Sequence, residues 1–242
     1  MTKLIFSSCV FICSYLLSLH SGAQTIKVVT ENAPSLQFQS ASGEMVGPAA
    51  NLVEKVLNAS GFSYDTRVLP WARAYKEAKQ APNTLIYSMV RTKERENSFH
   101  WIGIISKPQY YLFALKSTKI KPTNNTNELS EYSIATLLGS ASYATLKNEG
   151  FKNLVPVTTA KQVFQLLTKK RVNLITANLK AFDKICRRNS TECNKIKAIG
   201  PIKQLNDRAL YFALNKNSDA KLVRSLRETY LKMLNEKSIE IL

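Results

Sequence analysis

The chain has 242 residues, 45% of them hydrophobic, and carries 34 Lys plus Arg against 17 Asp plus Glu for a net charge of +17. That excess raises the question of a nucleic-acid partner, but the basic residues are scattered, with Lys169-Lys170-Arg171 and Arg187-Arg188 as the tight clusters. What remains is a solvated basic surface, or long-range attraction of anionic ligands and anionic envelope surfaces.

Residues 1–23 read as a secretory leader. Lys3 supplies the basic n-region, Leu4 to Leu19 the apolar run, and Ser21-Gly22-Ala23 the small-residue cleavage site. The run is short for a membrane-spanning helix. Cleavage after Ala23 would release a periplasmic or secreted chain starting at Gln24, and export argues against nucleic acid. The remainder is long enough for one large domain or two small lobes with proper cores. It keeps Cys186 and Cys193, whose separation allows a local disulfide in an oxidising compartment, the alternative being two free thiols. The histidines are His20, in the leader, and His100, so no metal or cofactor is expected.

Ile26 to Thr30 is a β-branched run and reads as the first strand. Pro48 opens a helix whose apolar face is Leu52, Val53, Val56 and Leu57, and Gly61 stops it. Phe62, Tyr64, Thr66 and Val68 alternate as a strand. Pro70 opens a short helix through Trp71, Ala74, Tyr75 and Ala78, and Leu85 to Val90 is another strand. Tyr110 to Leu115 is a further strand, after which the polar stretch 116–127 reads as a crossing between lobes.

A second β-α-β-α-β set follows. It comprises a strand from Tyr132 to Leu137, a helix after Gly139 that ends near Gly150, and a strand from Leu154 to Val157. Thr159 with Gln162 makes a capping box for the helix carrying Val163, Leu166 and Leu167, and Arg171 to Ala177 is the next strand. Ala209 to Leu214 is a late strand, and a final helix from about Asp219 buries Leu222, Val223, Leu226, Tyr230, Met233 and Leu234. The order implies mostly parallel sheets covered by helices, in two lobes joined by two crossings around a cleft. Ligands sit outside the carboxyl ends of such strands. This singles out Glu31 and Asn32, Trp71 to Arg73, Ser88 to Arg95, Gly139 to Ser142, and Asn178.

At these residues the chain resembles the bacterial periplasmic solute-binding proteins of family 3, the polar amino-acid binders of ABC importers. The resemblance covers nearly all of the mature chain. It rests on the order and spacing of Glu31 to Pro34, Gly43-Glu44-Met45-Val46-Gly47, Pro70-Trp71-Ala72-Arg73-Ala74, Arg91-Thr92-Lys93-Glu94-Arg95-Glu96, Phe99-His100-Trp101 and Leu138-Gly139-Ser140. It implies a two-lobed, type II periplasmic-binding-protein fold of the α/β class, with two parallel or mixed sheets, flanking helices and a cleft. Lobe 1 is expected at 24–114 plus 206–242 and lobe 2 at 115–205.

In that family the arginine of a Thr-x-x-Arg turn grips the ligand carboxylate, which by position is Arg95. A guanidinium suits a carboxylate because it can pair with it in a bidentate, charge-assisted way. The alternative is a surface pairing of Arg95 with Glu94, Glu96 or a neighbouring carbonyl. The Val90 backbone and the Ser88 hydroxyl would share the bound group. Trp71 falls where the family has an apolar platform, though its pattern equally suits core packing. Arg73 offers a second positive contact or a solvated helix face. Gly139 and Ser140 would present a helix start to an anion. Glu31 would accept from a cationic or hydroxyl group, or stand in water as a strand-end carboxylate.

The sequence also departs from the family's pattern. Asn178 stands near the family's ammonium-binding aspartate, Asn173 where an acid is common, and Ala33-Pro34-Ser35-Leu36 lacks the usual aromatic. These departures favour a small carboxylate-bearing solute over an ordinary α-amino acid. The expected role is capture without catalysis, by a monomer read by an ABC permease or a sensor. The alternatives are a dehydratase-like enzyme on the same fold, with Glu31 as its acid or base, and an envelope protein that has lost its ligand.

Overall fold

The first sheet grows outward from the β-branched run at 26–30. In the computed structural model, which describes residues 25–33, 35–180, 182–183, 194–206 and 208–242, this run is strand β1 (Ile26–Thr30). The leader and the Cys186 and Cys193 pair lie outside the described residues. β1 pairs in parallel with β4 (Tyr64–Val68) on one side and β5 (Thr84–Val90) on the other. β12 (Leu210–Asn215) returns from the far end of the chain antiparallel to β5, and β6 (Phe99–Ser106) pairs antiparallel with β12. The order is β4-β1-β5-β12-β6. A short hairpin of β2 (Phe38–Gln39) and β3 (Met45–Val46) stands apart.

Helices cover both faces of this sheet. α1 (Pro48–Ser60) has proline in its first turn and ends on Gly61 at φ +75°, a left-handed cap that glycine takes without a Cβ clash. α7 (Ala220–Asn235) is capped by Asp219, whose carboxylate accepts from the Lys221 and Leu222 amides. Val53, Val56 and Leu57 of α1 and Leu222, Leu226 and Tyr230 of α7 bury Ile26, Val28, Leu85, Tyr87 and Phe212. On the other face α2 (Trp71–Gln80) packs Trp71, Ala74 and Ala78 against Val29, Ile86 and Met89. That face assignment breaks simple alternation, because Leu85 and Tyr87 share one face while Ile86 and Met89 share the other.

The break is a bulge at Ser88. Tyr211 lies opposite Met89 and Ala213 opposite Ile86, so Tyr87 and Ser88 together face Phe212. Ser88 takes φ +60°, a left-handed conformation that costs a non-glycine residue about 1–3 kcal/mol. Bulges of this kind re-aim side chains next to functional sites. After the bulge Val90 leaves the first core and packs with Leu112 and Leu210.

The chain crosses to the second sheet between Ser106 and Tyr110, ahead of the stretch 116–127 where the sequence suggested a crossing. β7 (Tyr110–Leu115), placed by the sequence in lobe 1, pairs antiparallel with β10 (Leu174–Asn178) and β11 (Ile196–Pro201) of the second sheet. The polar stretch follows the strand instead of preceding the change of sheet. β10, β8 (Ile134–Leu137) and β9 (Leu154–Val157) run parallel, giving β11-β7-β10-β8-β9. α4 (Ala141–Asn148) packs Leu146 on one face with Ile134 and Leu174. α5 (Ala160–Thr168) packs Val163 and Leu167 on the other with Phe113 and Ile175. The Thr159–Gln162 capping box forms as expected. Two short helices complete the set: α3 (Lys93–Glu96) joins β5 to β6, and α6 (Lys203–Asn206) lies in the return crossing between β11 and β12.

Candidate functional site

A cavity of about 170 Å3 lies between the sheets, walled by residues of both lobes at the carboxyl ends of β1, β5, β8 and β10. Of the residues singled out on sequence, Glu31, Trp71, Ser88, Val90, Arg95, Ser140 and Asn178 line it. Gly139 sits at its rim, offering its carbonyl. Arg73 does not reach it: the side chain is exposed on α2. Two residues along a helix turn the side chain to the opposite side, so Trp71 and Arg73 cannot share one wall.

Arg95 is 4% exposed. Its Nη1 donates to the Val90 carbonyl at 3.0 Å and its Nη2 to the Gly139 carbonyl at 3.0 Å. The guanidinium stands 4.9 Å from the centre of the Tyr75 ring and 5.5 Å from that of Trp71, within cation–π range. Burial lowers its pKa, and the Tyr75 and Tyr110 hydroxyls oppose that shift. The guanidinium nevertheless stays charged at any ordinary pH. Neither Glu94 nor Glu96 claims it. Glu96 accepts instead from Arg91, whose guanidinium lies over the Trp101 and Tyr211 rings on the outer surface. The two carbonyls and the Tyr75 hydroxyl engage part of the fork.

The Gly139 carbonyl is shared. Trp71 Nε1 donates to it at 3.0 Å, so two first-lobe donors meet on one second-lobe acceptor. Gly139 itself is held at φ +72°, where glycine turns the chain without strain. It sits against Ala72, close enough that an added Cβ would lie 3.8 Å from the Ala72 Cβ.

Glu31, at the end of β1, is pushed up to about 8 by burial, because desolvation penalises the charged carboxylate. Its carboxyl is therefore mostly protonated at neutral pH. Tyr110, the first residue of β7, is held above the usual phenol range by burial first and by Glu31 second, with Arg95 opposing. The hydroxyl thus lies within electrostatic reach of both ionisable groups of the cavity, Glu31 and Arg95.

Ser88 and Gln37 form the floor of the first-lobe wall. The Ser88 hydroxyl donates to Gln37 Oε1 at 2.7 Å, and Gln37 Nε2 donates to Thr30 Oγ1 at 3.1 Å and to the Glu31 carbonyl at 3.3 Å. Gln37 is fully buried. The sequence reading missed it, since a lone glutamine beside a short hairpin carries no pattern. It also missed Tyr110 and Phe164 as wall residues. The position of Tyr110 at a strand start right after the change of sheet was the signal available for it.

On the second-lobe wall, Ser140 caps α4 by accepting from the Tyr143 amide at 3.1 Å. Thr176 donates to Thr136 at 3.0 Å, and Thr136 lies 3.4 Å from Ser140. The rest of this wall is largely hydrocarbon from Leu137, Val163, Phe164 and Ile175. His100 lies outside the cavity, its Nε2 2.8 Å from the Lys216 carbonyl. Among the described residues, no group of three or more His, Cys, Asp or Glu side chains could hold a metal ion, and no helix is long and apolar enough to cross a membrane.

No protein-family model matches the sequence, and no curated protein matches it in sequence. Solved structures do match in fold. A histidine kinase sensor domain with similarity to periplasmic binding proteins superposes with a TM-score of 0.78 at 16% identity, covering 89% of this chain and 92% of that one. An ancestral arginine-binding protein bound to arginine gives 0.76 at 16% identity over 88% and 94%. The arginine-, lysine-, histidine-binding protein ArtJ from the thermophilic bacterium Geobacillus stearothermophilus gives 0.76 at 15% identity over 89% and 91%. At such identities the likeness carries the fold, which is the two-lobed periplasmic-binding-protein architecture that the sequence suggested.

Proposed function

We propose that this chain is an exported solute-binding protein of the family 3 type, which captures a small carboxylate-bearing solute between its lobes in the periplasm. The observation that carries this reading is Arg95, a buried cation in the wall of the interlobe cavity. It is positioned by one carbonyl from each lobe and by the Tyr75 hydroxyl, and a five-donor guanidinium so held could still pair with a carboxylate. Ligand contacts to both walls would favour the closed arrangement by the difference in affinity between the closed and open forms. An ABC permease would then read the closed form. A sensor partner is the second reading, supported by the likeness to a histidine kinase sensor domain. Binding without chemistry is supported by the binding proteins among the structural neighbours and by His100 lying away from the cavity.

The test is thermal unfolding of the exported protein against amino acids, organic acids and amines, with mass spectrometry of every hit. A ligand of the folded state raises the midpoint with its concentration. The reading requires such a ligand, recovered unchanged and lost with Arg95→Ala. Turnover of a hit would point to an enzyme, and silence across the library to a protein that no longer binds.

A further inference from the structure

The two walls of the cavity differ in charge, and that difference constrains what can be held between them. Among the described residues, Glu31 and Arg95 are the charged side chains lining the cavity, and both belong to the first lobe. The second lobe contributes Leu137, Val163, Phe164 and Ile175, with Asn178 as an uncharged amide. Two of its hydroxyls serve the wall itself: Ser140 accepts from the Tyr143 amide and Thr176 donates to Thr136, while Ser142 and Tyr110 add further uncharged polar groups. A ligand ammonium turned toward this wall would lose water and gain no counter-charge, which is unfavourable. A hydrocarbon ring or branched chain turned the same way would lose only apolar hydration. On the first-lobe wall Arg95 remains cationic, while burial favours the neutral form of Glu31, so the wall carries net positive charge near neutrality.

From this juxtaposition we infer that the ligand is a monocarboxylate with an aromatic or branched aliphatic body and no ammonium group. Arg95 holds the carboxylate, and Phe164, Val163 and Ile175 pack the body. The inference rests on the solute-binding reading above and names the ligand class of the same cavity. Glu31, whose ionisation is disfavoured by burial, supplies a hydrogen-bonding group on the first wall.

The experiment is titration calorimetry of the intact protein at pH 6.5 with 3-phenylpropanoate and 4-methylpentanoate against L-phenylalanine, L-arginine, L-glutamate and spermidine. The two plain acids are expected to bind at least tenfold more tightly than any of the ammonium-bearing compounds. L-phenylalanine carries the same ring as 3-phenylpropanoate, so that pair isolates the ammonium. Equal or tighter binding of L-phenylalanine, L-arginine or L-glutamate overturns the inference and leaves capture of a carboxylate-bearing solute standing, whereas equal or tighter binding of spermidine, which has no carboxylate, overturns both. Failure of every compound to bind overturns both.

Two variants sharpen the result. Phe164→Ala is expected to weaken 3-phenylpropanoate at least tenfold with little change in the unfolding midpoint, and undiminished affinity counts against the inference. Asn178→Asp places a carboxylate on the second wall. It is expected to shift the ratio of L-phenylalanine to 3-phenylpropanoate affinity at least tenfold toward the amino acid, and an unmoved ratio overturns the proposed charge logic.

Discussion

On the first-lobe wall Gln37 ties Thr30, the Glu31 backbone and Ser88 into one network, and Arg95 is set between two carbonyls and two rings. On the second-lobe wall Val163 and Ile175 present hydrocarbon that is continuous with the lobe's own core, and the hydroxyls of Thr136, Ser140 and Thr176 face one another. The first wall fixes direction, because hydrogen bonds and charge depend on angle. The second measures shape, because apolar burial does not. The walls meet directly at the Gly139 carbonyl. Orientation and closure are therefore coupled through Arg95, which serves both.

The strongest way to probe the first wall is through Glu31. Its ordinary value is 4.5 and its folded value about 8. Below pH 4.5 both folded and unfolded chains hold the proton and the full stability is present. As pH rises toward 8 the unfolded chain has released the proton and the folded one has not, so stability falls until the folded group ionises. The loss has a ceiling of about 4–5 kcal/mol, at 1.36 kcal/mol per unit of pKa. Glu31→Gln is expected to flatten stability across that window, as read by urea unfolding at pH 5 and pH 8.5. An unchanged pH profile would sink the account of this carboxyl.

Next in size is Arg95→Ala. It removes two charge-assisted hydrogen bonds and two ring contacts, for a loss of about 3 kcal/mol in the unfolding free energy. Arg95→Lys keeps the charge without the planar fork and should fall between. A stability unchanged in both would mean that the clamp contributes nothing. Trp71→Phe keeps the aromatic contact with Tyr75 but drops one of the two bonds to Gly139, and a loss of about 1 kcal/mol is expected by the same unfolding measurement. A similar loss, about 1 kcal/mol at most, is expected for Thr159→Ala at the remote cap of α5. That variant should leave ligand affinity untouched, so any effect on binding would show that the second wall is not mechanically separate from its helix.

What the sequence made legible was local. The Pro48 start and Gly61 stop of α1, the Thr159–Gln162 box and the Asp219 cap all lie within a few residues of what they control. The β-branched run of β1 and the strand-end positions of Glu31 and Asn178 followed from periodicity. β6 and β11 were less visible. Phe99–Ser106 is buried on nearly every residue, so it has no alternation to read, and its partner β12 comes from the other end of the chain. The bulge at Ser88 depends on how β5 meets β12. The clamp on Arg95 depends on Gly139, which lies in the other lobe. Such long-range pairings leave no mark on a single sequence beyond residue type.

On the proposed solute-binding reading, the twofold acceptance by the Gly139 carbonyl would also bear on the rate at which a solute can arrive. Two hydrogen bonds of about 1 kcal/mol net each give closure a bias of about 2 kcal/mol from the protein's own atoms. That is a ratio of about thirty to one, leaving roughly three molecules in a hundred open at any instant. Capture through the open form would then be slowed by about the same factor, and release slowed along with it. A single backbone oxygen would in this way set the tempo of the cleft, independently of how well any ligand fits inside it.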